Sequence, residues 1–501
     1  MAPSPTSDAQ DQVIGKIASL FEETLSQTPP QNIIELWREH VEIRRILNEV
    51  TGIQAKIGDT DERLSKATRD TDAIKAFLAW SDSVGIARNN VTIAKTEKCG
   101  LSLQATGPIP KDHIVAKVPR HAMITFDMAK KSAMLRKAFE RDPIIRGMEN
   151  VGLALFVACQ WLSKEKTKWF SYISVLPNSF PTPLFYTEQQ LLNLKPSPIF
   201  EEALMFYRTI ARQFCYFLLA VAKNKLYEDA QKTREGRQME VPIFYNTPFT
   251  IANFTTRLYF WAVGIVTTRV NMVPSETAIG DDGKPAIIPA LIPVLDMANH
   301  ENIGVEDPSE DLVCFAPDEE AAVVTSHRDV DAGQEVTIFY GLRSKGEHLL
   351  HNGFVPVHHG KYDVLKLKFG IPKTDKQLNA RMELIQKFVP DVRVASNIFH
   401  VDLYDVQYPD QPFPTDLLTF ATVFVATDLT EASVKTIEMR KKGLDFLRTR
   451  FTLLRRSYEG SFDESKVSET GIEGDAARLK AAEVRILGIA LAHCDVLEKT
   501  L

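Results

Sequence analysis

Two runs of short apolar segments bracket a long helical stretch, and that interruption limits what the chain can fold into. Residues 90–126 read as the strands VTIAK, LSLQAT and IVAKV, punctuated by the turn signals CG, GPIP and VPR. Residues 128–222 have helical character, broken at the proline-rich PNSFPTPLF, and a further helix carrying WAVGIVTTRVN begins near Phe249. Strand character returns over 286–340. Compact domains seldom hold a gap of that length as loop. One β-rich unit with an inserted helical subdomain is therefore expected, an α+β arrangement.

The flanks read as helical. Leu36, Ile43, Leu47 and Val50 recur at helical spacing, after a first dozen residues that are small and polar and read as disordered. Beyond Phe354 a strand pair near 362–369 leads into a tail in which Leu444, Leu447, Phe451 and Leu454 step by three and four, as do Val484, Leu487, Leu491 and Cys494. The polar stretch 460–475 reads as a linker between those helices. The expected domains are an N-terminal helical segment (1–87), the β-rich domain (88–355) with its helical insert at about 128–250, and a C-terminal all-α domain (356–501).

Charge and cysteine usage narrow the function classes. A net charge of −6 gives no electrostatic case for nucleic-acid binding. The five cysteines are scattered and form no C-x-x-C pair, so neither a disulfide framework nor a zinc site is expected, and a reducing compartment is. The N-terminus has no basic start followed by an apolar run, and no apolar run is long enough to span a membrane. The expectation is a cytoplasmic monomer with nuclear entry open, binding neither membrane nor metal.

Two segments remain that core packing explains poorly. LIPVLDMANH (291–300) ends in an Asp-x-x-Asn-His turn, and VTIFYGLRSKGEHLLHNGF (336–354) holds an apolar strand ending in Tyr-Gly about forty residues later. Taken singly, Asn299 is a turn or cap residue, Tyr340 a buried strand tyrosine, and Arg269 and Asn271 helix-end polar groups. His348, His351 and the pair His358-His359 lack a metal-ligand set and read as surface or loop residues. The basic run 440–456 alternates with an apolar stripe and reads as a solvated helix face.

Together the two segments resemble the SET-domain protein methyltransferases of the RuBisCO large-subunit methyltransferase type, and within that group the actin-histidine N-methyltransferases. WREHVEIRRIL, NVGLALF, PTPLFYTEQQL, YRTIARQF, WAVGIVTTRVNMVP and HNGF extend the likeness from about Trp37 to the C-terminus. The resemblance implies small curled sheets with a pseudoknot, a helical insert and a C-terminal helical substrate-binding domain. It implies S-adenosyl-L-methionine as cofactor and actin as protein substrate, methylated at a histidine Nε2. Cys99, Gly100 and Leu101 would wrap the cofactor with backbone groups. Arg69 and Arg269 would pair its carboxylate, as a guanidinium fork suits. Asp296, Met297, Ala298, Asn299 and His300 would bind it further, and Asn352, Gly353 and Phe354 would close its adenine side.

Methyl transfer is an in-line displacement, so positioning supplies much of its rate. The resemblance puts Tyr340 in the transfer channel. A histidine acceptor must be neutral, which favours pH above its ordinary pKa of about 6.5, with one nitrogen bare and the other held by a partner. Asn271 matches the position of that partner, and Arg212 and Arg343 match positions that hold substrate. Leu295 departs from the tryptophan expected before the Asp, which enlarges the acceptor pocket and keeps a lysine acceptor open as the alternative. A non-catalytic adaptor binding a partner through its helical domain is the alternative from another class.

Overall fold

The computed structural model describes residues 5–58, 64, 69–96, 100–231, 239–301, 313–358, 362–389, 397–405 and 411–501. Its contacts group the chain into two compact units, Met1–Phe180 with Leu204–Tyr340, and Pro181–Ala203 with Gly341–Leu501.

The first unit opens on helices. The helix Pro5–Leu20 starts inside the stretch read as disordered. Proline costs nothing at a first helical position, and Val13, Ile17 and Leu20 are buried along one stripe. The helix Ile33–Ile57 is capped by Asn32, whose side chain accepts from Ile34 N, and buries Leu36, His40, Ile43, Leu47, Val50 and Gln54. Those positions step by four and three, so one face is buried along its length, apolar but for His40 and Gln54.

Three small sheets follow, built from β1 (Ala87–Arg88), β2 (Val91–Thr96), β3 (Gly100–Ala105), β4 (Ile114–Pro119), β5 (Ile124–Thr125), β6 (Asn271–Ile279), β7 (Pro285–Leu291), β8 (Asn299–His300), β9 (Val313–Ala316), β10 (Ala321–Thr325) and β11 (Glu335–Ile338). Their orders are β1-β4-β10-β9, β2-β3-β11-β8 and β5-β7-β6. Strands from both ends of the unit share each sheet, so the helical stretch between them is an insertion in space as well as in sequence. Between β5 and β6, the helices Glu149–Ser163 and Thr256–Arg269 are apolar nearly all round and almost wholly buried, so the helical stretch runs on beyond the expected limit of about 250 to Arg269. Such helices form the interior of a core rather than its surface. The second of them ends at Arg269. Val270 caps it in an extended conformation and Asn271 begins β6, so VN lies beyond the helix.

In the second unit β12 (Val364–Gly370) pairs antiparallel with β13 (Ile398–Tyr404), so the stretch 362–369 holds one strand and not the expected pair, its partner lying beyond the helix Leu378–Phe388. Their inward residues Leu365, Leu367, Phe369, Phe399, Val401 and Leu403 join one core with the helices Thr415–Val425, Ile437–Ser457 and Ile472–Thr500. The C-terminal part is thus helical around a two-stranded sheet rather than all-α. The stretch 460–475 is also more than a linker. It holds a short turn at Glu464–Ser468 and the start of the last helix, where Asp475 is buried and bonded to Arg478 Nη2 and Val355 N. The basic run lies on the helix Ile437–Ser457, whose buried side is Met439, Gly443, Leu444, Leu447 and Phe451.

Candidate active site

The site begins at a strained turn. After β7 the chain passes through Val294, fully buried and held at φ +71°, ψ −52°, a region that β-branched residues rarely enter. It then forms the single turn Leu295–Met297, which lies against β3. The turn carries Asp296 inward until its side chain is completely buried. Burial raises the Asp296 pKa, while Arg269, Tyr172 and Arg69 oppose that rise.

Arg269 contacts Asp296, and Arg69 lies within electrostatic reach of both. Arg269 comes from the end of its helix, with Nη1 2.5 Å from Asp296 O and 3.6 Å from Asp296 Oδ2. Arg69 donates from Nε to Val175 O at 2.8 Å. Its pKa is lowered to about 9 by burial and by the like charge of Arg269, against the pull of Asp296. Gly100 holds φ +79°, and a Cβ there would stand 2.9 Å from Arg69 Nη1, so glycine leaves the guanidinium its room. The cluster carries two positive charges and one negative. Among the described residues, Arg69 Nη2, Arg269 Nε and Asp296 Oδ1 are buried without a hydrogen-bond partner. Excess buried donors of this kind complement a ligand that brings a carboxylate.

The Asn-His turn is fixed by strand pairing. β8 runs parallel to β11, with Asn299 opposite Thr337 and His300 opposite Ile338. Asn299 Nδ2 donates to Glu335 Oε1 at 2.6 Å. Tyr340 follows directly: its N donates to His300 Nδ1 at 3.2 Å and its hydroxyl to Ala298 O at 2.9 Å. An acceptor at Nδ1 leaves the proton of a neutral His300 on Nε2. The segment from β11 to Tyr340, two residues past the strand, thus runs beside the Asn-His turn, and the carbonyl that holds the Tyr340 hydroxyl lies two residues along the chain from Asp296.

No family model matches this chain. The actin-histidine N-methyltransferase of Canis lupus familiaris is 27% identical over 443 residues, covering 88% of this chain and 66% of that protein. The protein of the same name from Homo sapiens is 25% identical over 483 residues, covering 92% and 73%, and that from Gallus gallus 26% over 468, covering 93% and 70%. The chain therefore spans about two thirds to three quarters of the length of these relatives. Among solved structures, Rubisco LSMT bound to sinefungin and monomethyllysine superposes with a TM-score of 0.62 at 18% identity, covering 86% of this chain and 93% of that one. The SET domain of LSMT bound to lysine and AdoHcy gives a TM-score of 0.59 at 18% identity, covering 85% and 92%. The chain has the SET-domain fold.

On this SET fold the first unit brings Arg69, Gly100, Leu101, Arg269 and 296–300 to one region, with Tyr340 beside it. Cys99 lies outside the described residues. Asn271 is half-buried at the start of β6, and its Nδ2 donates to Arg269 O at 3.2 Å. Leu295 is fully buried within the turn and offers no open surface. Arg212 is exposed on the helix Ile199–Gln231.

Arg343, Asn352, Gly353 and Phe354 belong to the second unit of the SET fold. Arg343 Nη1 donates to Asn352 Oδ1 at 2.6 Å. Asn352 ends the π-helical turn His348–Asn352, and Gly353 closes it at φ +85°, where a Cβ would stand 2.9 Å from the Pro181 carbonyl carbon. His348 is buried against Phe354 (ring centroids 5.1 Å apart), and His351 is half-buried with its pKa lowered by burial. Neither histidine is the surface or loop residue expected of it, because the turn folds both against the unit's interior; His358 is exposed, and His359 lies outside the described residues.

Sequence reasoning passed over Tyr172 and Glu335. Tyr172 donates to Asp296 Oδ2 at 2.5 Å from the short helix Phe170–Ser174. Nothing distinguishes it in sequence from the other aromatic residues of the helical insert. Glu335 was visible only as a polar residue opening an apolar strand, and its partner Asn299 lies 36 positions away.

Proposed function

We propose that the protein is an S-adenosylmethionine-dependent protein-histidine N-methyltransferase that methylates a histidine of actin at Nε2. The observation that carries this reading is the buried cluster of Arg69, Arg269 and Asp296 next to the strand pair that holds Tyr340. The name shared by three vertebrate relatives, each matched over most of this chain, supports the choice of histidine and of actin.

Bound S-adenosylmethionine would supply an electrophilic methyl group on a sulfonium. Arg69 and Arg269 hold the ligand's carboxylate in the proposed arrangement, with Gly100, Leu101 and residues 296–300 around it. The Tyr340 hydroxyl, fixed on Ala298 O, orients the reacting groups in line. Asn271 accepts the Nδ1 proton of the substrate imidazole in a hydrogen bond and so bares Nε2 for attack. Its carbonyl oxygen suits this role, because its amide nitrogen is already engaged with Arg269 O. In this reading 88–355 act as the catalytic domain and 356–501 as the substrate-binding domain.

Lysine as acceptor is the second reading, favoured by the solved structures this chain resembles, which hold monomethyllysine and lysine. Incubation with unmethylated actin and S-adenosylmethionine, followed by fragmentation mass spectrometry, separates the two. A methyl group on histidine is the expected product. Methyl on lysine moves the reading to the second, and an unmodified actin removes actin as substrate.

A further inference from the structure

The helix Phe170–Ser174 and the residue that ends it reach both sides of the charged cluster. Val175 O accepts Arg69 Nε at 2.8 Å, and three residues earlier the Tyr172 hydroxyl donates to Asp296 Oδ2 at 2.5 Å. Tyr172 is itself fully buried and is held from its other side by Phe77 and Trp80, with ring centroids 5.8 and 6.3 Å away. Both rings come from the helix Thr71–Ser83, which starts two residues after Arg69 and is capped by Asp70 accepting Ala73 N. The tyrosine ring therefore has little freedom, and its hydroxyl meets Asp296 at a fixed point.

An ionised carboxylate with no solvent contact needs donors. Asp296 Oδ2 is reached by Tyr172 and by Arg269 at 3.6 Å, while Oδ1 has no partner among the described residues. Two guanidinium groups brought together without a counter-charge repel each other, and the Arg269 charge adds to burial in lowering the pKa of Arg69. Asp296 can hold them only while it is charged. Tyrosine suits the donor position, because its proton stays on oxygen: burial and the Asp296 charge push the phenol pKa well above its ordinary value.

We propose that Tyr172 is a positioning residue for the cofactor site, keeping Asp296 ionised and in one rotamer so that Arg69 and Arg269 present a preformed receptor for the α-carboxylate of an amino-acid ligand. This rests on the methyltransferase reading above and adds to it a residue that touches neither cofactor nor substrate. The charged cluster selects the amino-acid end of the ligand only. Loss of Tyr172 therefore weakens ligands that carry that end and spares those that do not.

The test is calorimetry on the full chain with two ligands, S-adenosylhomocysteine and methylthioadenosine, the second being the thioether nucleoside without the amino acid. For Tyr172→Phe the S-adenosylhomocysteine Kd rises about tenfold, the scale of one hydrogen bond to a charged group, and the methylthioadenosine Kd stays unchanged. Asp296→Asn gives the same selective loss, and adding Tyr172→Phe to it costs nothing more, because the tyrosine acts through that carboxylate. Tyr172→Met, which lacks a donor but fills the space, replaces the phenylalanine variant should the latter not fold. Equal weakening of both ligands marks a purely structural role and overturns the proposal. So does an unchanged Kd for both in a variant whose wild-type parent binds them, with the methyltransferase reading left standing. A wild-type protein that binds neither ligand overturns both.

Discussion

At the scale of single residues, the site depends on side chains whose hydrogen bonds are already committed before any ligand arrives. The Tyr340 hydroxyl is spent on Ala298 O and the Asn271 amide nitrogen on Arg269 O. Each side chain is thereby fixed in orientation, which is what the proposed in-line transfer would require of them. Tyr340→Phe removes the bond to Ala298 and frees the ring. Turnover should fall by roughly a hundredfold, the scale of a misplaced reacting group, with an unchanged melting temperature. Kinetics with labelled methyl donor and a thermal melt check this together, and full activity would remove Tyr340 from the mechanism. Asn271→Ala should abolish histidine methylation while shifting the Kd of S-adenosylhomocysteine by no more than about twofold, since its proposed partner is the acceptor and not the donor. Equal loss of both would put Asn271 in the cofactor site instead.

At the scale of elements, close approach of backbones decides more than propensity does. The helices Thr415–Val425 and Ile437–Ser457 meet at Gly443, where a Cβ would stand 2.8 Å from Thr422 N and 2.9 Å from Thr422 Cα. Backbone atoms in mid-helix cannot step aside. Gly443→Ala gains about 1 kcal/mol of helix propensity but loses more to overpacking, roughly 1–3 kcal/mol, so the variant is expected to be less stable. Denaturant unfolding reads the sign directly, and a stabilised variant would show that the pair can spread without loss. Elements also explain what the sequence made legible. β2 and β3 could be read because Val91, Ile93, Leu101 and Leu103 are buried and turn residues bound the strands. The partner of β12 could not, because β13 lies beyond the helix Leu378–Phe388 and the pairing is non-local. Val294 was unreadable for another reason. LIPVL has the composition of an ordinary strand, and only the fold forces its fourth residue to positive φ.

At the scale of the whole molecule, the split arrangement and the Asp296–Asn299–Tyr340 constellation were open to reading because motifs in sequence carry backbone geometry with them. The buried polar groups that support them were not, since burial of a tyrosine or a glutamate is a property of the finished fold. Glu483 shows this in the second unit. It lies on the helix Ile472–Thr500, is almost wholly buried, and accepts from Ser197 Oγ at 2.7 Å and from Tyr458 Oη at 3.0 Å. It therefore joins the segment Pro181–Ala203 to the C-terminal helices of the same unit. Burial raises its pKa to about 7, against the two hydrogen bonds and the charge of Lys480, and the charge of Glu202 adds to the rise. A carboxyl raised in this way binds its proton more tightly in the folded than in the unfolded state. Its effect on stability is therefore opposite to that of a salt-bridged carboxylate. As pH rises from the ordinary 4.5 towards about 7, the unfolded chain gives up this proton first and the second unit loses stability, the loss being complete above about 7. Glu483→Gln carries no charge at any pH and keeps the shape. The unfolding midpoint of this variant minus that of the wild type should climb across that interval and level off above it. A difference that does not change with pH would mean that Ser197, Tyr458 and Lys480 together balance the burial of Glu483, and one that falls as pH rises would mean that they outweigh it and hold Glu483 as an anion.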